Sequence, residues 1–187
     1  MIPSRAEALA ILSEYIKSDS LLRHAFAVEG VMRRFAGRFG GDADAWGIAG
    51  LLHDIDYERF PDEHCSKARE ILGGYGVDEI LIRACVSHGY GVCSDVEPVT
   101  DMERALFAVD ELTGLIAATA LMRPSRSVDD LEAKSVMKKF KTPAFAAGCD
   151  RSLILKGCEA LGMAIEGVVS ESILGMREAS GGGSARG

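Results

Sequence analysis

Residues 45–60 read AWGIAGLLHDIDYERF. In the apolar run from Trp46 to Leu52, Ala49 and Gly50 leave room for a close neighbour. The run then stops on His53-Asp54, a charged doublet on what reads as a core helix. A buried carboxylate is costly unless it is paired, hydrogen-bonded or bound to a metal. Adjacent residues on a helix point about 100° apart. His53 and Asp54 can therefore serve one ion only near the end of the helix, and this helix is expected to run out close to Tyr57.

Helical periodicity continues on both sides of this stretch. Helices are predicted over residues 5–17, 20–38, 43–57, 63–73, 79–88, 101–122, 128–140, 151–161 and 165–177. Ser4-x-x-Glu7 and Thr100-x-x-Glu103 read as capping boxes. Asp19, Asp42, Asp62, Asp78, Ser127 and Asp150 are plausible caps for six more helices. Gly40-Gly41, Gly73-Gly74 and Gly76 fall between helices as turns, and Gly89 to Val99, with Pro98, reads as a loop. No stretch alternates with period two among β-branched residues, so a sheet is not expected. The expectation is an all-α fold: a single-domain helical bundle over residues 1–178, followed by a flexible tail over 179–187.

The composition suits one domain with a substantial core. The chain has 187 residues, of which 48% are hydrophobic and 26% charged. A net charge of −7 argues against general attraction to nucleic acid or anionic membrane. The five cysteines (Cys65, Cys85, Cys93, Cys149, Cys158) are an odd number without a C-x-x-C pair, and read as free thiols in a reducing compartment. The first residues lack a secretory apolar segment, and Leu112 to Met122 is too short to span a bilayer. A cytoplasmic protein is expected.

Two further polar residues stand on apolar helix stripes. His24 is flanked at helical spacing by Leu21, Val28 and Val31, and Asp110 lies among Leu106, Phe107 and Gly114. A lone histidine on such a face is usually a hydrogen-bonded core residue. If His24, His53, Asp54 and Asp110 converge, however, the two acids repel, and a divalent cation resolves the conflict. Such ligands suit Zn, Mn, Fe, Co or Ni better than Ca. The chain has no GxxxxGK[ST] loop, so Walker-type NTP hydrolysis is excluded.

His24, then His53-Asp54, then Asp110, each on its own predicted helix, resembles the H…HD…D signature of the HD superfamily. The segments LLRHAFAVE, GLLHDIDYE and ALFAVDELTGLI resemble it in local context too. RPSRSVDDLEAKSVMKKF and FAAGCDRSLI look like a bacterial subgroup described as predicted HD hydrolases. Asp56 stands where many relatives carry glycine, and adds a carboxylate near the expected metal. The resemblance implies a helical bundle that hydrolyses phosphate esters with bound divalent metal. Asp54, His53 and Asp110 would carry the catalysis, and the substrate would be a small phosphorylated metabolite or nucleotide.

The remaining two histidines, His64 and His88, are expected at one end of a helical hairpin turned at Gly73–Val77. They would complete a second site, giving two metals per chain. Relatives with a paired centre show the same order, H…HD…H…H…D, which implies that Asp54 bridges the ions. The bland alternatives are an exposed His64 beside Asp62 and Glu63, and a His88 that caps its helix C-terminus. On the substrate side, Lys134, Lys138 and Lys141 share one face of a predicted helix and would grip phosphate, although a solvated lysine face is the commoner reading. Arg123 and Arg126 are further candidates. Two other functions remain open: a di-iron oxygenase of the same fold, and a metal-stabilised module without turnover.

Overall fold

The computed structural model describes residues 1–181. Among the described residues nine α-helices run in the order α1 (Arg5–Tyr15), α2 (Asp19–Phe39), α3 (Ala43–Leu52), α4 (Ser66–Gly74), α5 (Glu79–Ser87), α6 (Asp101–Leu121), α7 (Ala133–Phe140), α8 (Arg151–Ala160) and α9 (Ile165–Gly181). A 3-10 turn at Pro61–Glu63 precedes α4. Among the described residues there is no strand, only an isolated bridge between Tyr90 and Ser94. The fold is all-α, as the periodicity predicts. No described helix is long and apolar enough to cross a membrane.

The helix starts follow the capping logic. Ser4 and Glu7 form a reciprocal capping box at α1. Asp42, Asp78 and Asp150 accept backbone N–H bonds at the starts of α3, α5 and α8. Thr100 caps α6, but the return arm of its expected box is diverted. Glu103 accepts instead from Val99 N–H at 2.8 Å and from the Arg83 guanidinium at 3.1 Å. Two expected caps shift: Ser18 rather than Asp19 precedes α2, and Asp62 lies inside the 3-10 turn.

α3 is the central element, with every residue from Ala45 to Leu52 buried. It packs on α2, α1 and α5, while α6 packs on α2, α5, α7, α8 and α9. Gly50 permits α3 to approach α2 closely. A Cβ there would lie 2.9 Å from both Met32 Cγ and the Val28 carbonyl oxygen on α2. Phe35, Met32, Leu51, Leu52, Leu106 and Leu112 are fully buried in the resulting core.

Three predicted boundaries are corrected. α3 ends at Leu52, so His53 and Asp54 lie in the turn beyond it rather than inside a helix running to 57. Tight backbone bonds, Ile55 N–H to Leu52 O and Tyr57 N–H to Asp54 O, replace the α pattern there. α7 begins at Ala133, not near 128. The preceding residues are held by local bonds that compete with a helix, Ser127 with Asp129 and Arg123 and Ser125 with Asp130, and by Arg177 of α9, which donates to the carbonyls of Val128 and Leu131. α9 continues to Gly181, past the expected start of the tail at 179. The rest of that tail lies outside the described residues.

Candidate metal centre

Helices α2, α5 and α6, the turn after α3 and the segment before α4 deliver the candidate ligands to one place. His24 comes from α2, Asp110 from α6, His53 and Asp54 from the turn, His64 from the segment before α4, and His88 from the end of α5. Antiparallel packing of α4 and α5 brings His64 and His88 together, with ring centroids 5.1 Å apart. His53 lies 5.1 Å from His24 and 5.0 Å from His88 on the same measure.

Three of the imidazoles have Nδ1 engaged and Nε2 turned inward. His53 Nδ1–H donates to the Gly50 carbonyl at 2.8 Å, and His88 Nδ1–H donates to the Cys85 carbonyl. His64 Nδ1–H donates to Asp56 Oδ1 at 2.7 Å. A donor bond at Nδ1 leaves Nε2 as the lone-pair nitrogen of a neutral ring, the form that ligates metal.

The two oxygens of Asp54 face different histidines. Its Oδ2 lies 3.3 Å from His53 Nε2 and 3.8 Å from His24 Nε2, while its Oδ1 lies 3.5 Å from both His64 Nε2 and His88 Nε2. Asp110 Oδ1 is 2.9 Å from His24 Nε2 and 3.3 Å from His53 Nε2. Two compact groups of histidine and carboxylate donors result, His24/His53/Asp54/Asp110 and Asp54/His64/His88, each with ligand atoms within 4.8 Å of one another.

The donor set fits divalent metal. His53 is fully buried, yet its Nε2 makes no hydrogen bond although two carboxylates lie 3.3 Å away. An orphaned buried nitrogen aimed between carboxylate oxygens is costly as it stands, and would be satisfied as a ligand. The remaining donors, imidazole nitrogen and carboxylate oxygen, suit borderline divalent ions.

The charges of the cluster shift one another's protonation. Burial pulls the His53 pKa down, but the Asp54 charge and contacts to Asp110 outweigh it and hold it well above the usual histidine range. Burial likewise opposes the shift at His64, which the Asp56 hydrogen bond nevertheless raises. Asp54 and Asp110 are pushed up by burial but end well below the usual carboxylate range. His53 and His88 act on the first, and His24 and His53 on the second.

The cluster forms the floor of a cleft of about 390 Å³. Tyr57, Gly89, Val92, Cys93, Phe107, Glu111, Gly114, Cys149 and Leu153 line the rest of it. Phe107 and Gly114 stand three before and four after Asp110, so helical spacing alone places them beside it. Cys149 and Leu153 arrive from α8 and the loop before it, and no local signal announces them. Sequence reasoning also missed the Cys65–Cys93 pair, whose sulfurs are 3.0 Å apart. The Cys65 contact chiefly lowers the Cys93 pKa to about 6, against the opposing effect of burial. Asp56 is fully buried behind His64, so it supports a candidate ligand and belongs to neither donor group.

The expected phosphate grip is not brought to the cleft. Lys134, Lys138 and Lys141 are exposed and none lines it. Burial of Val136 turns their face to solvent, and Lys134 pairs with Glu132 at 2.6 Å. Arg123 is spent on Asp130 at 2.8 Å, and Arg126 is exposed in the following loop.

The family model of the HD domain matches residues 21–123. That segment runs from α2 past the end of α6 and contains all six candidate ligands. No solved structure matches the chain.

Proposed function

The chain belongs to the HD domain family, whose members are mostly metal-dependent phosphohydrolases, and from that premise we propose that it hydrolyses a small phosphorylated metabolite or nucleotide. The observation that carries the reading is the division of Asp54, with one oxygen toward His24 and His53 and the other toward His64 and His88. In this reading His24, His53, Asp54 and Asp110 hold one divalent ion, and Asp54, His64 and His88 a second. Bound divalent ions polarise a phosphoryl oxygen and lower the pKa of water, and a pair steadies both attacking and leaving oxygens.

The protein's own residues supply positioning. Gly50, Asp56 and Cys85 fix three imidazole rings through Nδ1, so Nε2 needs no reorientation on binding. Phe107, Leu153 and Val92 give the cleft an apolar wall that fits the organic part of an ester and excludes water there. Glu111, on the same wall, offers a carboxylate to a donor group of the substrate. None of the described lining residues is Lys or Arg, so charge on the phosphate falls to the metal centre.

The test is elemental analysis of the purified protein, then a phosphate-release screen with Mn²⁺, Co²⁺, Ni²⁺ and Mg²⁺ added back after chelation. Release that chelator abolishes and metal restores is the expected result. A metal-loaded protein silent across nucleotides, sugar phosphates and aryl phosphates overturns the reading in favour of a binding module. The nitrogen-rich donor set, four imidazoles to two carboxylates, gives the di-iron oxygenase its support. Co-purifying iron with oxygen uptake on substrate addition would identify it.

A further inference from the structure

Beside the histidine–carboxylate cluster stand two thiols that hydrolysis does not use. Cys65 is buried and Cys93 is exposed at the rim of the cleft, with their sulfurs 3.0 Å apart. Two features of the backbone make this approach possible. Cys65 holds φ at +68°, a conformation that L residues rarely adopt and that structures retain where surrounding contacts enforce it. Gly89 lies against both sulfurs, and a Cβ there would overlap each of them. Cys93 is fixed opposite Cys65 by a tight turn in which the N–H groups of Val92, Cys93 and Ser94 all donate to the Gly89 carbonyl.

We propose that Cys65 and Cys93 form a reversible oxidation site that takes hydroperoxides and closes to a disulfide. The exposed Cys93 meets the oxidant first. Its thiolate attacks one peroxide oxygen, the O–O bond breaks, and the products are a sulfenic acid on Cys93 and an alcohol or water. Cys65 then attacks the Cys93 sulfur, the S–O bond breaks, and the oxygen leaves as water with the Cys65 proton. The two sulfurs together lose two electrons, which reduce the peroxide. A disulfide is about 2 Å long, so the sulfurs need approach by only about 1 Å, and no change of fold is required. A thiol reductant reverses the bond.

The link has a consequence for the centre, which rests on His64 and His88 serving as ligands. Cys65 directly follows His64, and the turn that carries Cys93 directly follows His88. Oxidation therefore ties together the two segments whose imidazoles face Asp54 Oδ1, and slows escape of an ion from that half.

The test treats the purified full-length chain with hydrogen peroxide and titrates its thiols with an aromatic disulfide reagent. Two of the five thiols should disappear, a peptide map should join Cys65 to Cys93, and dithiothreitol should restore both. Cys65→Ser should accumulate a Cys93 sulfenic acid trapped by dimedone, whereas Cys93→Ser should leave Cys65 reduced. Survival of all five thiols overturns the proposal, as does a bridge from Cys93 to Cys149 or direct passage of Cys93 to sulfinic acid. The clamp is read separately, as slower extraction of added Mn²⁺ by chelator from the oxidised protein; equal rates overturn it. The thiol count is independent of whether the chain hydrolyses any phosphate ester, so the two readings fail separately.

Discussion

Asp56 accepts the Nδ1–H of His64 at 2.7 Å from a position with no solvent exposure, while its second oxygen accepts the Ala68 N–H at 2.7 Å. The carboxylate is thus held by the start of α4 and in turn holds the imidazole, whose Nε2 points at Asp54. Asp56 thus orients a candidate ligand from behind.

Asp56→Asn should therefore weaken one half of the centre selectively. Loss of a supporting carboxylate behind a metal-binding histidine typically costs 10–100-fold in affinity. Isothermal titration with Mn²⁺ should show one site weakened by about that factor, and the site containing His24, His53 and Asp110 near its original strength. Uniform weakening of both sites, or none, would count against the role.

Substitutions in the doublet should separate the two halves. Asp54→Ala should reduce metal content to less than one ion per chain, because both donor groups share that carboxylate. His53→Ala should remove only the ion it shares with His24 and Asp110. Both variants should stay helical by circular dichroism and lose the drop in Tm that chelation causes in the parent protein, fully in the first and partly in the second.

The raised His53 and His64 pKa values set the direction of pH dependence. The protonated rings stabilise the metal-free fold. That contribution is fully present below the unfolded histidine value and is lost as pH rises through the folded one. Metal requires the neutral rings, so its affinity moves the other way and strengthens over the same interval. The depressed Asp54 and Asp110 act in the opposite sense, but their window lies in acid, below the ordinary carboxylate range. The gap in Tm between metal-loaded and metal-free protein should widen from mildly acidic to mildly alkaline pH. A constant gap would contradict the coupling.

Gly50→Ala should cost roughly 1–3 kcal/mol in urea unfolding, the range for overpacking a close-packed core. The added methyl meets Met32 and the Val28 carbonyl at 2.9 Å, and backbone can yield only if α2 and α3 move apart. Because the Gly50 carbonyl also orients His53, metal affinity should fall together with stability. Gly37→Ala, on the same helix as Val28 but with open space around its Cβ, is the control, and should be neutral or stabilising.

The all-helical fold, most helix starts and the four signature residues were legible in the sequence because each is written locally. Apolar spacing declares a buried face, Asp or Ser at a cap declares a start, and a charged residue on a buried stripe declares a cost to be offset. His64 and His88 were legible one step further, since a short helical hairpin joins the start of its first helix to the end of its second. What only the tertiary structure decided depends on side-chain direction and on partners distant in the chain. Asp56 turned toward His64, the α7 lysines turned to solvent, α8 supplied part of the cleft wall, and Cys65 met Cys93 across Gly89. Local patterning specifies which face of a helix is buried; the packing of the whole bundle specifies which residue that face meets.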